Sequence, residues 1–193
     1  YKKNNDTEIL FHTNELLASG GYWASTSADG IYASYGSIIG SIGVSGPRWY
    51  YYNEPTTISK GFIGSKIETK NGIQIFDQNA GISKDLYNPF RKPTEKELKH
   101  LQNIVMDIYE DFLLKVSNSR KIEINTIKND IGALIYNSKQ AKEKFLIDGV
   151  LSFDELIVQI ISERKFNDYK IIEFDAKENI LDKYLVNFFD FKY

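Results

Sequence analysis

Residues 15–44 read "ELLASGGYWASTSADGIYASYGSIIGSIGV", and the reading of that stretch decides the fold. It is dense in Ser, Gly and Ala, nearly free of charge, and runs through Ser19, Gly20 and Gly21 in succession. Small residues let backbones approach closely, and Gly reaches φ values that other residues avoid. A hydroxyl at such a place is either a helix cap or a nucleophile. Just upstream, "EILFHT" (8–13) reads as a short strand running into the small-residue segment. Helix character follows Ser19 through "GGYWASTSA" and stops at the Asp29-Gly30 turn signal. "IYA" and "SIIGSIGV" then read as short strands.

Further along, residues 46–64 read as a loop holding Pro47, Pro55 and the aromatic run Trp49, Tyr50, Tyr51, Tyr52. "KIETKNGIQIF" (66–76) alternates around Asn71-Gly72, the pair that best tolerates a type I′ turn, and so predicts a hairpin. After Pro89 and Pro93 the period becomes helical. Thr94 and Glu97 form a capping box. Leu98, Leu101, Ile104, Val105, Ile108, Phe112, Leu113 and Val116 then keep one face. A second box, Ser152 with Glu155, opens another helix, with Leu151 and Leu156 placed for a hydrophobic staple. "DYKIIEF" (168–174) reads as a late strand and 177–190 as a last helix. Strands mixed with helices, without repeats or low-complexity linkers, predict an α/β or α+β fold.

Composition excludes several function classes. A chain of 193 residues, 42% hydrophobic, fits one domain with a real core. The net charge of −2 lacks the basic footprint of a nucleic-acid binder. The absence of Cys removes disulfides, thiolate zinc sites and thiol catalysis together. No apolar run approaches the roughly 18 residues of a membrane span, and no stretch reads as a signal peptide. The two histidines, His12 and His100, lie far apart and outside any paired-His spacing. His100 falls off the apolar stripe and reads as solvated; His12, in a strand, reads as structural. A Ser-His-Asp triad therefore has no base. "GVSGP" (43–47) nearly matches the nucleophile elbow G-x-S-x-G, but Pro47 stands where the last Gly is required.

Ser19 is the better candidate. A strand turning through Ser-Gly-Gly into a helix sets a hydroxyl among free backbone N–H groups, where a developing oxyanion is favoured. Taken alone, Ser-Gly-Gly reads as a cap. Its base would have to be a lysine, which serves when burial disfavours the ammonium. Lys84, in "NAGISKDLYNPF" (79–90), is on physics alone one of 24 Lys and Arg, with a solvated charge.

Three segments carry a resemblance. "ASGGYWASTSADGIYASYGSIIGSIGV" (18–44), "AGISKDLYNPFRKPTEKEL" (80–98) and "IYNSKQAKEKFLIDGV" (135–150) resemble, in that order, segments of the signal peptide peptidase A (protease IV) family. These are serine peptidases of the Clp protease/crotonase superfamily fold. The first match is long and distinctive; the third is shared with related non-peptidases. Together they cover roughly residues 8–160.

The resemblance implies an α/β, Clp protease/crotonase-like fold and a Ser–Lys dyad. The nucleophile falls on Ser19 and the general base on Lys84, paired with Asp85. Ser41, in "GSIGV", would help hold the lysine. The Gly20 N–H, with Gly21 beside it, would supply an oxyanion donor. The resemblance also implies an apolar, signal-peptide-like substrate, no metal or cofactor, and a ring-like homo-oligomer on the outer face of a cytoplasmic membrane.

Two departures qualify it. Between Val44 and Lys84 the family has a helix and a strand, where this chain has an aromatic loop and a hairpin. The family's upstream half, with a second oxyanion glycine and often a membrane anchor, has no counterpart after Tyr1. The expectation is a C-terminal portion of the peptidase, with membrane association through an upstream segment and an exposed apolar sheet face or edge near residues 7–44. It divides into a nucleophile segment 8–44, an aromatic loop and hairpin 45–78, a lysine segment 79–93, a helical part 94–163, and a terminal strand and helix 167–193. The Trp49–Tyr52 cluster would line a substrate groove or pack against the core or a neighbouring subunit. Two rivals stand beside the peptidase: a catalytically silent scaffold of the same fold, and a crotonase-like acyl-CoA enzyme, which would need a CoA site.

Overall fold

Alternation along residues 8–44 and the breaks at its glycines produce a series of very short strands. A computed structural model of the chain describes residues 7–52, 59–61, 64–66, 78–166 and 168–172. In chain order these form β1 (Leu10–Thr13), β2 (Leu16–Ala18), α1 (Gly20–Ser25), β3 (Gly30–Ala33), β4 (Ile38–Gly40), β5 (Ser59–Gly61), β6 (Gly64–Lys66), α2 (Glu95–Arg120), α3 (Ile124–Thr126), β7 (Ile135–Asn137), α4 (Ser138–Glu143), β8 (Gly149–Val150) and α5 (Phe153–Arg164). Two compact units divide the chain, residues 1–153 and 154–193, and both larger sheets lie in the first.

One sheet runs β1-β3-β8, all parallel, with Leu10 opposite Gly30 and Tyr32 opposite Gly149. The other runs β2-β4-β7. There β2 is parallel to β4, with Ala18 opposite Gly40, and β7 is antiparallel to β4, with Gly40 opposite Ile135. β5 and β6 pair antiparallel, inside a region whose composition reads as loop.

Period-2 alternation decides which side of the β2-β4-β7 sheet is core. Leu17, Ile39 and Tyr136 are buried, while Leu16, Ile38 and Ile135 are exposed on the opposite face. The expected exposed apolar sheet face near residues 7–44 is thus present. Tyr22 of α1 is fully buried and donates its hydroxyl to the Leu146 carbonyl at 2.8 Å. Trp23 stacks on Phe112 of α2, with ring centroids 4.6 Å apart.

The long helix behaves as its two ends predict. Thr94 and Glu97 exchange both bonds of the capping box, and the helix ends where Lys121 takes a left-handed backbone. Its apolar stripe divides in two: Phe112, Leu113 and Val116 are buried, whereas Leu98, Ile104 and Ile108 are exposed.

Elsewhere local geometry departs from the expected boundaries. β2 is a strand of its own. β4 stops at Gly40 because Gly40 (φ 126) and Ser41 (φ 54) leave extended backbone. The helical part 94–163 also contains β7 and β8, with an unforeseen capping box at Asn137 and Gln140 opening α4. By contrast, α5 begins at Phe153, directly after Ser152, as a cap at Ser152 predicts. Residues 169–172 hold no strand. The hairpin around Asn71-Gly72 and the helix at 177–190 lie outside the described residues.

Candidate active site

Ser19 sits at the junction where β2 ends and α1 begins. Its backbone, φ 51 and ψ −125, is one that non-glycine residues rarely adopt, and such strain persists only where surrounding structure over-determines it. Here the constraint is bonded: the Ser19 N–H donates to Gly40 O at 2.9 Å, and the Ser19 carbonyl accepts the first helical bond from Trp23 N. The hydroxyl makes no capping bond to α1. The turn therefore does not use Ser19 as a side-chain cap, and its geometry is that of a sharp strand-to-helix elbow.

Parallel pairing carries Ser41 to the same place. Ala18 faces Gly40, so one residue further along both strands lie Ser19 and Ser41, each at positive φ. Ser41 N–H donates to Leu134 O at 2.8 Å, and its carbonyl accepts from Gly43 N at 2.9 Å, which turns the chain sharply away from the sheet. Two glycines are demanded by contact. A Cβ at Gly40 would come within 2.6 Å of Leu134 O, and one at Gly43 within 2.7 Å of the Ala133 methyl.

The two serines open onto a cleft of about 430 Å³. Ser19, Ser41 and Ser45 supply its hydroxyls, and Gly20 also lines it. Trp23, Ile108, Phe112 and Ala133 form an apolar wall. A Cβ at Gly20 would meet nothing within 4 Å, so the space above it is open to a ligand. A Cβ at Gly21 would make only ordinary contact with Leu17, and no close approach depends on that residue. The wall is a feature that reading the sequence for chemistry misses. Its trace was present in the helical stripe that contains Ile108 and Phe112.

Lys84 and Asp85 are placed differently. Lys84 is exposed, in a turn over residues 81–87, and does not line the cleft. Asp85 spends its charge on Arg91, whose Nε and Nη2 reach the two carboxylate oxygens at 2.6 and 2.8 Å. The same guanidinium bonds both oxygens of Glu97, at 2.9 and 2.8 Å. Hydrogen bonding from Arg91 holds the Asp85 carboxyl below its ordinary range. Glu97 is likewise held well below its ordinary range, by Arg91 first and then by the Thr94 N–H, while Arg91 is raised by the two carboxylates. Structure thus brings Ser19, Gly20 and Ser41 together and ties the lysine segment to the start of α2.

The aromatic loop joins that second group. Trp49 donates its indole N–H to Asn88 O at 3.1 Å, and Arg91 lies over its ring, 5.2 Å from the centroid. Tyr52 N–H donates to Pro89 O, and the Tyr52 ring meets Phe90. These aromatics pack on the lysine segment rather than line the Ser19 cleft. His12 accounts for itself structurally: Nε2 lies 2.9 Å from Leu151 O, and the ring stands edge-on to Phe153. No helix among the described residues is long and apolar enough to cross a membrane.

Comparison with known proteins extends this picture. A candidate signal peptide peptidase (SppA) of Enterococcus faecium is 30% identical over 172 residues, covering 89% of this chain and 46% of that protein. A candidate protease of Methanocaldococcus jannaschii is 30% identical over 171 residues, covering 89% of this chain and 51% of that protein. The chain therefore spans about half the length of these curated relatives. A solved membrane-bound stomatin-specific protease in complex with a substrate peptide is 14% identical and covers 78% of this chain and 51% of that one, with a TM-score of 0.38, a likeness too slight to build on. The sequence model of peptidase family S49 matches residues 2–167, nearly the whole described chain, so the protein belongs to peptidase family S49 and to its α/β, Clp protease/crotonase-like fold.

Proposed function

We propose that this chain is the nucleophile-bearing part of a serine endopeptidase that uses a Ser–Lys dyad on signal peptides or other short apolar peptides. The observation that carries the reading is the strained, uncapped Ser19 at a strand-to-helix elbow, opening with Ser41 onto a cleft with an apolar wall.

In the proposed reaction, neutral Lys84 takes the Ser19 hydroxyl proton as Oγ attacks the scissile carbonyl. The resulting oxyanion is met by the Gly20 N–H. Collapse breaks the C–N bond, the leaving amine takes the proton back from the lysine, and an acyl-enzyme remains. Water, deprotonated by Lys84, then releases the acid and regenerates Ser19. Ser41 steadies the amine, and Trp23, Ile108 and Phe112 receive an apolar substrate side chain. For the dyad to form, the Lys84 side chain must extend from its braced turn to the Ser19 hydroxyl, with water excluded from the amine. The exposed residues Leu98 and Ile104 are consistent with assembly into a homo-oligomer. Action on the outer face of a cytoplasmic membrane belongs to the same proposal.

A second reading, a catalytically silent member of the family, draws on one observation: among the described residues, no titratable side chain lines the Ser19 cleft. Labelling with a serine-directed fluorophosphonate separates the two. A peptidase is labelled at Ser19, and Ser19→Ala abolishes the adduct. A folded protein that takes no label at Ser19 is the silent one.

A further inference from the structure

The turn that carries Lys84 is conformationally expensive. Ser83 (φ 59) and Tyr87 (φ 68) both hold left-handed backbone without being Gly. Non-glycine residues keep such backbone only where their surroundings enforce it. Arg91 and its partners supply that enforcement. Arg91 forks both oxygens of Asp85, the residue after Lys84, and both oxygens of Glu97. Glu97 is buried and is itself seated by the Thr94 N–H and hydroxyl, each at 2.9 Å, in the first turn of α2. Trp49 lies against the guanidinium and bonds the far end of the turn through Asn88 O. A continuous set of charged and hydrogen-bonded contacts thus runs from a long helix to the residue beside Lys84.

We propose that Arg91, held between Asp85 and Glu97 and over Trp49, sets the conformation of the turn that presents Lys84 and is a positioning residue for the proposed base. This rests on the Ser19–Lys84 reading above. Its geometry asks for a guanidinium: planar, permanently charged and able to fork two carboxylates at once, which an ammonium cannot do. A lysine at 91 would keep the charge and lose the turn.

The test measures the rate of fluorophosphonate labelling at Ser19 across pH, by mass spectrometry, on the full-length protein and its variants. Arg91→Gln and Arg91→Lys should each slow labelling by about 10²-fold, the cost of misplacing a reacting group. Half-saturation by the probe and the circular dichroism spectrum should stay as in the wild type. Millimolar guanidinium ion should restore part of the rate to Arg91→Ala and none to Lys84→Ala, a rescue that a merely structural arginine would not show. Wild-type or faster labelling by Arg91→Gln, with Lys84→Ala inactive, overturns the inference and leaves the dyad standing. Wild-type labelling by Lys84→Ala overturns the dyad and this inference with it. Should Arg91→Gln fail to fold, Asp85→Asn makes the same test: a loss of about tenfold supports the brace, and a wild-type rate overturns it.

Discussion

At the scale of single residues, the proposed nucleophile Ser19 sets stability against function. Its backbone lies where glycine is comfortable and serine is not. Ser19→Gly should therefore abolish labelling yet stabilise the fold by about 1 kcal/mol, once the strain relieved is set against the extra chain entropy of Gly. Denaturant unfolding of the two proteins checks it; a less stable Ser19→Gly would mean the serine conformation costs nothing. Lys84 gives a second residue-scale test. A general base must shed its proton, and a guanidinium does not at usable pH, so Lys84→Arg should be nearly as inactive as Lys84→Ala. Equal labelling by wild type and Lys84→Arg would remove the lysine from the mechanism. The Ser-Gly-Gly run pointed to Ser19, whereas the lack of a side-chain cap on α1 and the positive φ of Ser19 are visible only in the folded chain.

At the scale of elements, the cleft depends on β4 stopping where it does. Gly40 combines φ 126 with a carbonyl 2.6 Å from where its Cβ would stand, so Gly40→Ala should cost about 2–3 kcal/mol. Gly20, the first residue of α1, has open space around it, and Gly20→Ala should fold with unchanged stability within about 0.5 kcal/mol. Comparing the unfolding free energies of the two variants separates a glycine needed by the backbone from one that leaves room for a ligand. Both glycines stand in the small-residue stretch, and nothing in their spelling distinguishes them. Helix ends were more legible. Thr94 and Glu97 announce α2 by local bonds alone, because a cap is satisfied within four residues. Short strands such as β7 and β8 escaped notice because their pairing partners are about a hundred residues away.

Across the whole molecule, Arg120 and Asp148 tie distant pieces together. Arg120, the last residue of α2, forks both oxygens of Asp148 at 2.9 Å and bonds Phe145 O. Asp148 in turn accepts the N–H of Ile31 in β3 at 2.7 Å. Burial alone would raise the Asp148 carboxyl; the hydrogen bonds from Arg120 and Ile31, with the charges of Arg120 and Lys142, outweigh it and leave the group below its ordinary range. A carboxyl lowered on folding binds fewer protons in the native state than in the unfolded one. Its contribution is full above the ordinary aspartate value of about 3.9 and fades as pH falls through the lowered folded value. Asp148→Asn should cost about 1 kcal/mol at neutral pH, given the partial exposure of the pair, and flatten the acid limb of the stability curve. Urea titrations between pH 7 and 2 report both. An unchanged acid limb in the variant would show that the clamp contributes nothing.

Local features were legible in the chain alone: the helix start at Thr94, the apolar periodicity of α2, and the run of small residues around Ser19. Each is a matter of bonds and packing among neighbours within a few positions. By contrast, α1 ends at Ser25, four residues before the turn signal at Asp29-Gly30. Tertiary structure alone decided the rest. It put Ser41 beside Ser19, because parallel register is a relation between strands and leaves no mark in either one. It made Ile108 and Phe112 the wall of a cleft while leaving Leu98 and Ile104 of the same stripe exposed, because a periodic face states that a partner is wanted and not where one will lie. It also bound Asp85 to Arg91 and Glu97, since which opposite charges meet depends on the path of the backbone between them.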